Sequence, residues 1–151
     1  MTREQERQII ALCERIGMPW EKVPNRDDWD HAWDGRALNL AHETSNGGTS
    51  DLVHDVAHWL VATPEARAAS DFALEAIGEA ESYDEEEAAS LLGILLERAM
   101  GMDWRYTWKF HMWPNHWDNV RPSICALRQR GLIRGLTPTC LLDATSSPPS
   151  R

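Results

Sequence analysis

Two histidines four residues apart, His54 and His58, stand inside the run His54-Asp55-Val56-Ala57-His58-Trp59-Leu60. The run is otherwise mostly apolar and lies between the loop-forming residues 44–50 (TSNGGTS) and Pro64. It reads as one helix over residues 51–63, capped by Ser50 or Asp51. On a helix, side chains at i and i+4 stack on one face, one turn apart, so both imidazoles can reach a single ion. Metal sites on helices use this layout, commonly with a carboxylate from elsewhere in the chain. The plainer alternative is one exposed His and one making an ordinary hydrogen bond.

Composition narrows the setting. A chain of 151 residues with 42% hydrophobic and 26% charged residues suits one soluble globular domain with a real core. Its net charge of −9 speaks against a nucleic-acid binder that relies on a basic surface, and is compatible with a basic protein partner. Cys13, Cys125 and Cys140 are widely spaced with no CxxC, which suggests reduced thiols and a cytoplasmic location. Residues 1–20 carry no secretory-signal pattern, and no apolar stretch approaches the length of a membrane span. The eight Trp read as core or groove wall, since Trp buries a large area while needing one partner for its N–H.

In chain order, residues 2–17 read as a helix. Thr2 with Gln5 resembles a capping box, Ile9, Leu12, Cys13 and Ile16 form an apolar stripe, and Gly17 sits at the C-cap. Residues 18–36 hold Pro19 and Pro24 and read as irregular; residues 36–42 (RALNLAH) alternate weakly, as a short strand does. After the central helix, residues 65–77 read as a second helix behind Pro64. Another begins near Asp84, whose neighbours Glu85, Glu86 and Glu87 suit the positive end of its dipole, and ends at Gly101. Residues 103–120 are rich in Trp and His without clean periodicity, and residues 123–131 read as a short helix. The expected organisation is a single metal-binding helical domain over residues 1–142 and a disordered tail over 143–151.

Two imidazoles alone hold a divalent ion weakly, so a third protein ligand is needed. The acids 84–87 follow the His pair by one helical segment, and a helical hairpin can bring them back over it. Helix phase leaves two options. The stripe Ala88, Leu91, Leu92, Leu95 puts Glu86 on the opposite side, with Ser90, Gly93 and Glu97. That side is either solvent or a small-residue face where another helix approaches closely, and phase alone does not choose among Glu85, Glu86 and Glu87.

The segment H-D-V-A-H-W-L-V-A, followed by Arg67 and then Asp71-Phe72, resembles the bacterial elongation factor P hydroxylase family, whose motif reads H-E-x-x-H-W-x-x-A, then Arg, then Asp-Phe. The resemblance covers about residues 40–105. It implies that His54, His58 and Glu86 are metal ligands, that the metal serves a hydroxylation, and that the substrate is a protein side chain. Asp55 departs from the family's Glu, and Ala73-Leu74-Glu75-Ala76 replaces the aromatic run that follows Asp-Phe there.

Three chemistries fit these residues. With Fe(II), two His and one carboxylate leave positions open for dioxygen and substrate, as in non-haem oxygenases. Asp55 would then orient an imidazole or a metal-bound water, and Arg67 would pair with Asp71 four residues on. With Zn(II), H-D-x-x-H resembles the zinc-peptidase signature with Asp55 taking a proton from the bound water. The third possibility is a non-catalytic acidic protein-binding module, its structural metal closed by His42, His111 or His116. The expected fold is mainly α, with α+β as an alternative: a central HxxxH helix packed against a later acidic helix, and a short β-hairpin ahead of it. The expected function is a metal-dependent hydroxylase-like protein.

Overall fold

Residues 1–24, 31–42, 48–110, 123–125 and 127–131 are described by the computed structural model of the chain. The expected tail, His111 and His116 lie outside these residues. Helix α1 spans Arg3–Ile16 and starts as its sequence requires. The Thr2 hydroxyl accepts from the Gln5 amide and the Gln5 side chain accepts from the Thr2 amide, satisfying two donors that the first turn leaves unpaired. Gly17 ends the helix at φ 75°, its N–H donating to the Cys13 and Glu14 carbonyls. Ile9, Leu12 and Cys13 point inward, and burying side chains like Ile9 and Leu12 is worth about 1.5–3 kcal/mol each.

The expected hairpin takes a different form. Strand β1 (Trp20–Glu21) pairs with β2 (Leu38–Asn39) in parallel, not antiparallel, register. The far edge of β2 meets Trp33 in a single antiparallel bridge. Between Trp33 and Leu38 the chain reverses, and the Asp34 side chain accepts from the amides of Arg36 and Ala37, both at 2.8 Å. Buried Asn39 ties this segment down by exchanging bonds with the Val23 backbone.

Helix α2 spans Thr49–Val61. It starts two residues earlier than expected because Gly48, at φ 55°, takes the cap position in place of Ser50 or Asp51. Every residue from Leu52 to His58 is buried, as befits a helix enclosed on all sides. Helix α3 spans Glu79–Ala99, behind Gly78 as its cap. The sequence placed this start at Asp84. The acids 84–87 therefore lie beyond the first turn and are not dipole-complementing charges at the helix start.

The expected helix over residues 65–77 is absent. Two 3-10 turns, Ala66–Ala68 and Leu74–Ala76, stand in its place. Between them the Asp71 carboxylate accepts from the amides of Ala73 (3.0 Å) and Glu75 (3.1 Å), offering the backbone an alternative to a helical ladder. Phe72 and Ala73 sit at φ 55° and 60°, a left-handed conformation that ends helical propagation and costs about 1–2 kcal/mol per residue.

The face Ser90, Gly93, Glu97 of α3 is buried against other helices rather than facing solvent. A Cβ on Gly93 would lie 3.7 Å from Thr107 Cγ2, 3.8 Å from His54 Cα and 3.9 Å from Ala57 Cβ. Thr107 belongs to α4 (Arg105–Phe110), a short helix inside the Trp- and His-rich stretch that the sequence left without one. Residues 123–125 and 127–129 are helical as expected, with Ile124 and Leu127 in the core beside α3. Among the described residues no helix is long and apolar enough to cross a membrane. The architecture is mainly helical, with α2 and α3 packed along each other at its centre.

Candidate metal centre

The i, i+4 spacing on α2 does what its geometry requires. His54 and His58 are both buried, at 7% and 6% exposure, with ring centroids 4.5 Å apart and planes at 85°. The later helix supplies the acid. His54 Nε2 lies 3.0 Å from Glu86 Oε1, and His58 Nε2 lies 3.0 Å from Glu86 Oε2. The two Nε2 atoms are themselves 3.0 Å apart. Among the described residues these three form the one group of His, Cys, Asp or Glu side chains that can hold a metal ion.

The spacing of the donors tests the fit. Metal–ligand bonds of about 2.1 Å at right angles put donor atoms about 3.0 Å apart, against about 3.4 Å at a tetrahedral angle. The two Nε2 atoms lie 3.0 Å apart, the right-angle spacing, and each faces one oxygen of the Glu86 carboxylate at 3.0 Å. Two imidazoles and a carboxylate are also a donor set that suits several divalent transition metals. A divalent ion therefore fits.

Electrostatics agree with three groups sharing one small volume. Burial alone would raise the Glu86 carboxyl, but hydrogen bonds and charge from both imidazoles outweigh it and hold the group far below the ordinary carboxylate range. His58 shows the mirror image: burial works to lower it, while Glu86, Asp55 and Glu85 together raise it above the ordinary imidazole value. The Nε2 edge of His58 that this charge favours protonating is the edge a cation would share with Glu86.

Neighbouring acids are committed elsewhere. Glu85 forms a two-pronged ion pair with Arg130, which also donates to the Val61 carbonyl at 2.7 Å. Glu87 is buried but does not join the metal-binding group. His42 is half-buried and likewise outside that group.

The other candidates hold the scaffold. Asp55 is buried, and its carboxylate accepts from the Trp33 amide at 2.8 Å, tying α2 to the segment before β2. Burial raises this carboxyl, against the opposing pull of His58 and the Trp33 amide. Arg67 does not pair with Asp71. Its Nε donates to the Trp59 carbonyl at 2.8 Å and its guanidinium lies 3.8 Å from the Trp59 ring centroid, while Asp71 is spent on the turn. Sequence reasoning missed Trp33, whose indole N–H donates to the carbonyls of Arg67 and Ala69.

The site opens toward the 3-10 segment. A cavity of about 450 Å³ is lined by Leu74, Glu75, Ile77, Ser82, Tyr83 and Glu86. A smaller one, about 130 Å³, touches His58, Phe72, Leu74 and Ile77. Leu74, Ile77 and Tyr83 give the larger cavity its apolar side. Neither a family model, nor a curated protein, nor a solved structure matches this chain.

Proposed function

We propose that this protein is a metal-dependent hydroxylase-like enzyme of the non-haem iron type, acting on a protein side chain. The observation that carries it is the close group of His54, His58 and Glu86, whose two Nε2 atoms lie 3.0 Å apart and each 3.0 Å from a different oxygen of the Glu86 carboxylate, beside a cavity that reaches Glu86. The likeness of residues 54–62, Arg67 and Asp71-Phe72 to the elongation factor P hydroxylases supports the same reading. A bound Fe(II) would supply open coordination positions and the capacity to activate dioxygen. The chain's own residues do the rest. His54, His58 and Glu86 would hold the ion and leave part of its coordination sphere open to dioxygen and substrate. Leu74, Ile77 and Tyr83 offer apolar surface on one side of the cavity and can seat the stem of a substrate side chain. Hydroxylation then places one oxygen of dioxygen in a C–H bond and sends the other to water, with two electrons drawn from an added reductant.

The peptidase reading would need Asp55 as its base, and one oxygen of that carboxylate is already engaged by the Trp33 amide. A structural metal needs a fourth protein ligand; His42 stands outside the described group, and His111 and His116 lie outside the described residues. The test is purified protein loaded anaerobically with Fe(II), given ascorbate and dioxygen, and offered the translation factors of a bacterial lysate. The expected result is oxygen consumption with a gain of one oxygen atom on a protein substrate, absent from the His54→Ala protein. Chelator-sensitive peptide cleavage by the zinc-loaded protein, with no oxygen uptake by the iron-loaded one, would overturn it.

A further inference from the structure

Phe72 is buried and lies between two other aromatic rings. Its ring is 5.2 Å from the His58 imidazole and 5.9 Å from the Trp33 ring, with planes within 14° in both cases. Three flat side chains thus form one stack that ends on a candidate metal ligand. The backbone that delivers Phe72 is unusual: Phe72 and Ala73 are consecutive non-glycine residues at positive φ. Such conformations persist only where the surroundings hold them. Here the Asp71 carboxylate fixes the turn from one side, and the Phe72 amide donates to the Ala69 carbonyl at 3.2 Å.

The stack closes on itself. Trp33 is bonded through its amide to Asp55, one turn before His58 on the same helix, and through its indole to the Arg67 and Ala69 carbonyls. Helix α2 therefore holds Trp33, Trp33 covers Phe72, and Phe72 covers the ring of His58. A histidine on a helix has two side-chain torsions. The helix restricts the first, and the second, a broad sp³–sp² rotation, needs a neighbour to fix it. A phenyl face laid parallel on the imidazole supplies that neighbour and leaves the Nε2 edge aimed at Glu86. His54 has the edge of His58 against it instead.

We infer that Phe72 is the positioning residue of the metal centre, setting the ring plane of His58 through a Trp33–Phe72–His58 stack. The inference rests on the metal-site reading above and assigns the left-handed kink at 72–73 a purpose: it turns a side chain from the 3-10 segment onto a ligand. Groups that orient ligands from outside the coordination sphere typically change metal affinity 10–100-fold when lost.

The experiment compares Co(II) binding by the full chain and three variants. Phe72→Leu removes the flat face, Phe72→Tyr keeps it, and Ile9→Ala damages the same core from α1, at a residue that is not a member of the stack. Expected is a loss of Co(II) affinity of about tenfold or more in Phe72→Leu, with a changed visible spectrum, both restored in Phe72→Tyr. Ile9→Ala should lower the melting temperature while keeping affinity and spectrum. In the metal-free protein, the His58 ring protons should be shifted upfield by the phenyl face and move downfield in Phe72→Leu. Unchanged affinity and spectrum in Phe72→Leu, or an equal loss in Ile9→Ala, would overturn the inference. Wild-type protein that shows the upfield shift yet takes up no Co(II) would instead remove the metal reading, and the positioning role with it.

Discussion

At the residue scale, Asp55 and Glu86 exchange the prominence their neighbourhoods suggest. Asp55 adjoins a histidine in a motif where an acid is expected to be catalytic, yet its carboxylate faces the Trp33 amide and stitches two segments together. Glu86 stands among four consecutive acids, and sequence phase leaves it undistinguished. What singles it out is three-dimensional: Arg130 claims Glu85, and only Glu86 reaches both Nε2 atoms. This assignment predicts unequal costs within the acid run. His54→Ala and His58→Ala should each abolish stoichiometric metal uptake, measured by elemental analysis after dialysis. Glu86→Ala should weaken uptake strongly, since it removes a direct ligand and leaves two imidazoles that alone hold a divalent ion weakly. Glu85→Ala should leave stoichiometry intact and cost about 1 kcal/mol or less, since its ion pair is partly exposed. A larger metal loss in Glu85→Ala than in Glu86→Ala would move the ligand by one position and undo the register.

At the scale of elements, the centre depends on how closely α2 and α3 approach. Gly93 sits at their contact, one face with Glu86 and Ser90, and a Cβ there meets its neighbours at ordinary van der Waals distances of 3.7–3.9 Å. Gly93→Ala should therefore be accepted, and gain up to about 1 kcal/mol from helix propensity. Gly93→Leu adds three further carbons against the His54 backbone and Thr107, and overpacking of this kind costs about 1–3 kcal/mol. Because the strain falls where His54 is anchored, Gly93→Leu should also lower metal affinity, whereas Gly93→Ala should not. Paired thermal melts and metal titrations separate the two effects. Helices α1, α2 and α3 were legible because each carries its own local signals: a capping box, an apolar run stopped before Pro64, an apolar stripe closed near a glycine. The His pair was legible for the same reason. Residues 65–77 were not, because their apolar spacing is helical while the Asp71 side chain competes for the amides that a helix would use. The parallel pairing of β1 with β2 was equally hidden: each strand is two residues long, too short for alternation to declare a partner.

At the scale of the whole molecule, protons and an added ion would compete for the group of His54, His58 and Glu86, and that would couple the centre to stability. Glu86 has a folded-state value depressed below its ordinary 4.5, so its contribution is present above that pH and is lost as pH falls below it. His58 is raised above its ordinary 6.5, so its contribution is present below that pH and is lost as pH rises through the folded value. Buried Asp55 is raised, favours the fold more as pH falls, and partly offsets Glu86. The metal-free protein should therefore draw most from this cluster between about pH 4.5 and 6.5. An ion needs both imidazoles neutral, so its affinity should rise as pH climbs past His58. Melting curves taken from pH 5.5 to 8, with and without Zn(II) or Fe(II), should consequently diverge. The metal-free melting temperature should flatten or fall across this range, while the metal-induced rise grows. At ion concentrations near 100 times the dissociation constant the added stability is about 2.7 kcal/mol, a shift of roughly 5–10 °C for a chain of this size. In Glu86→Gln the metal-free maximum should vanish together with most of the metal-induced rise, because one carboxylate serves both the protons and the ion. A metal-induced rise independent of pH would place the ion on groups other than these imidazoles.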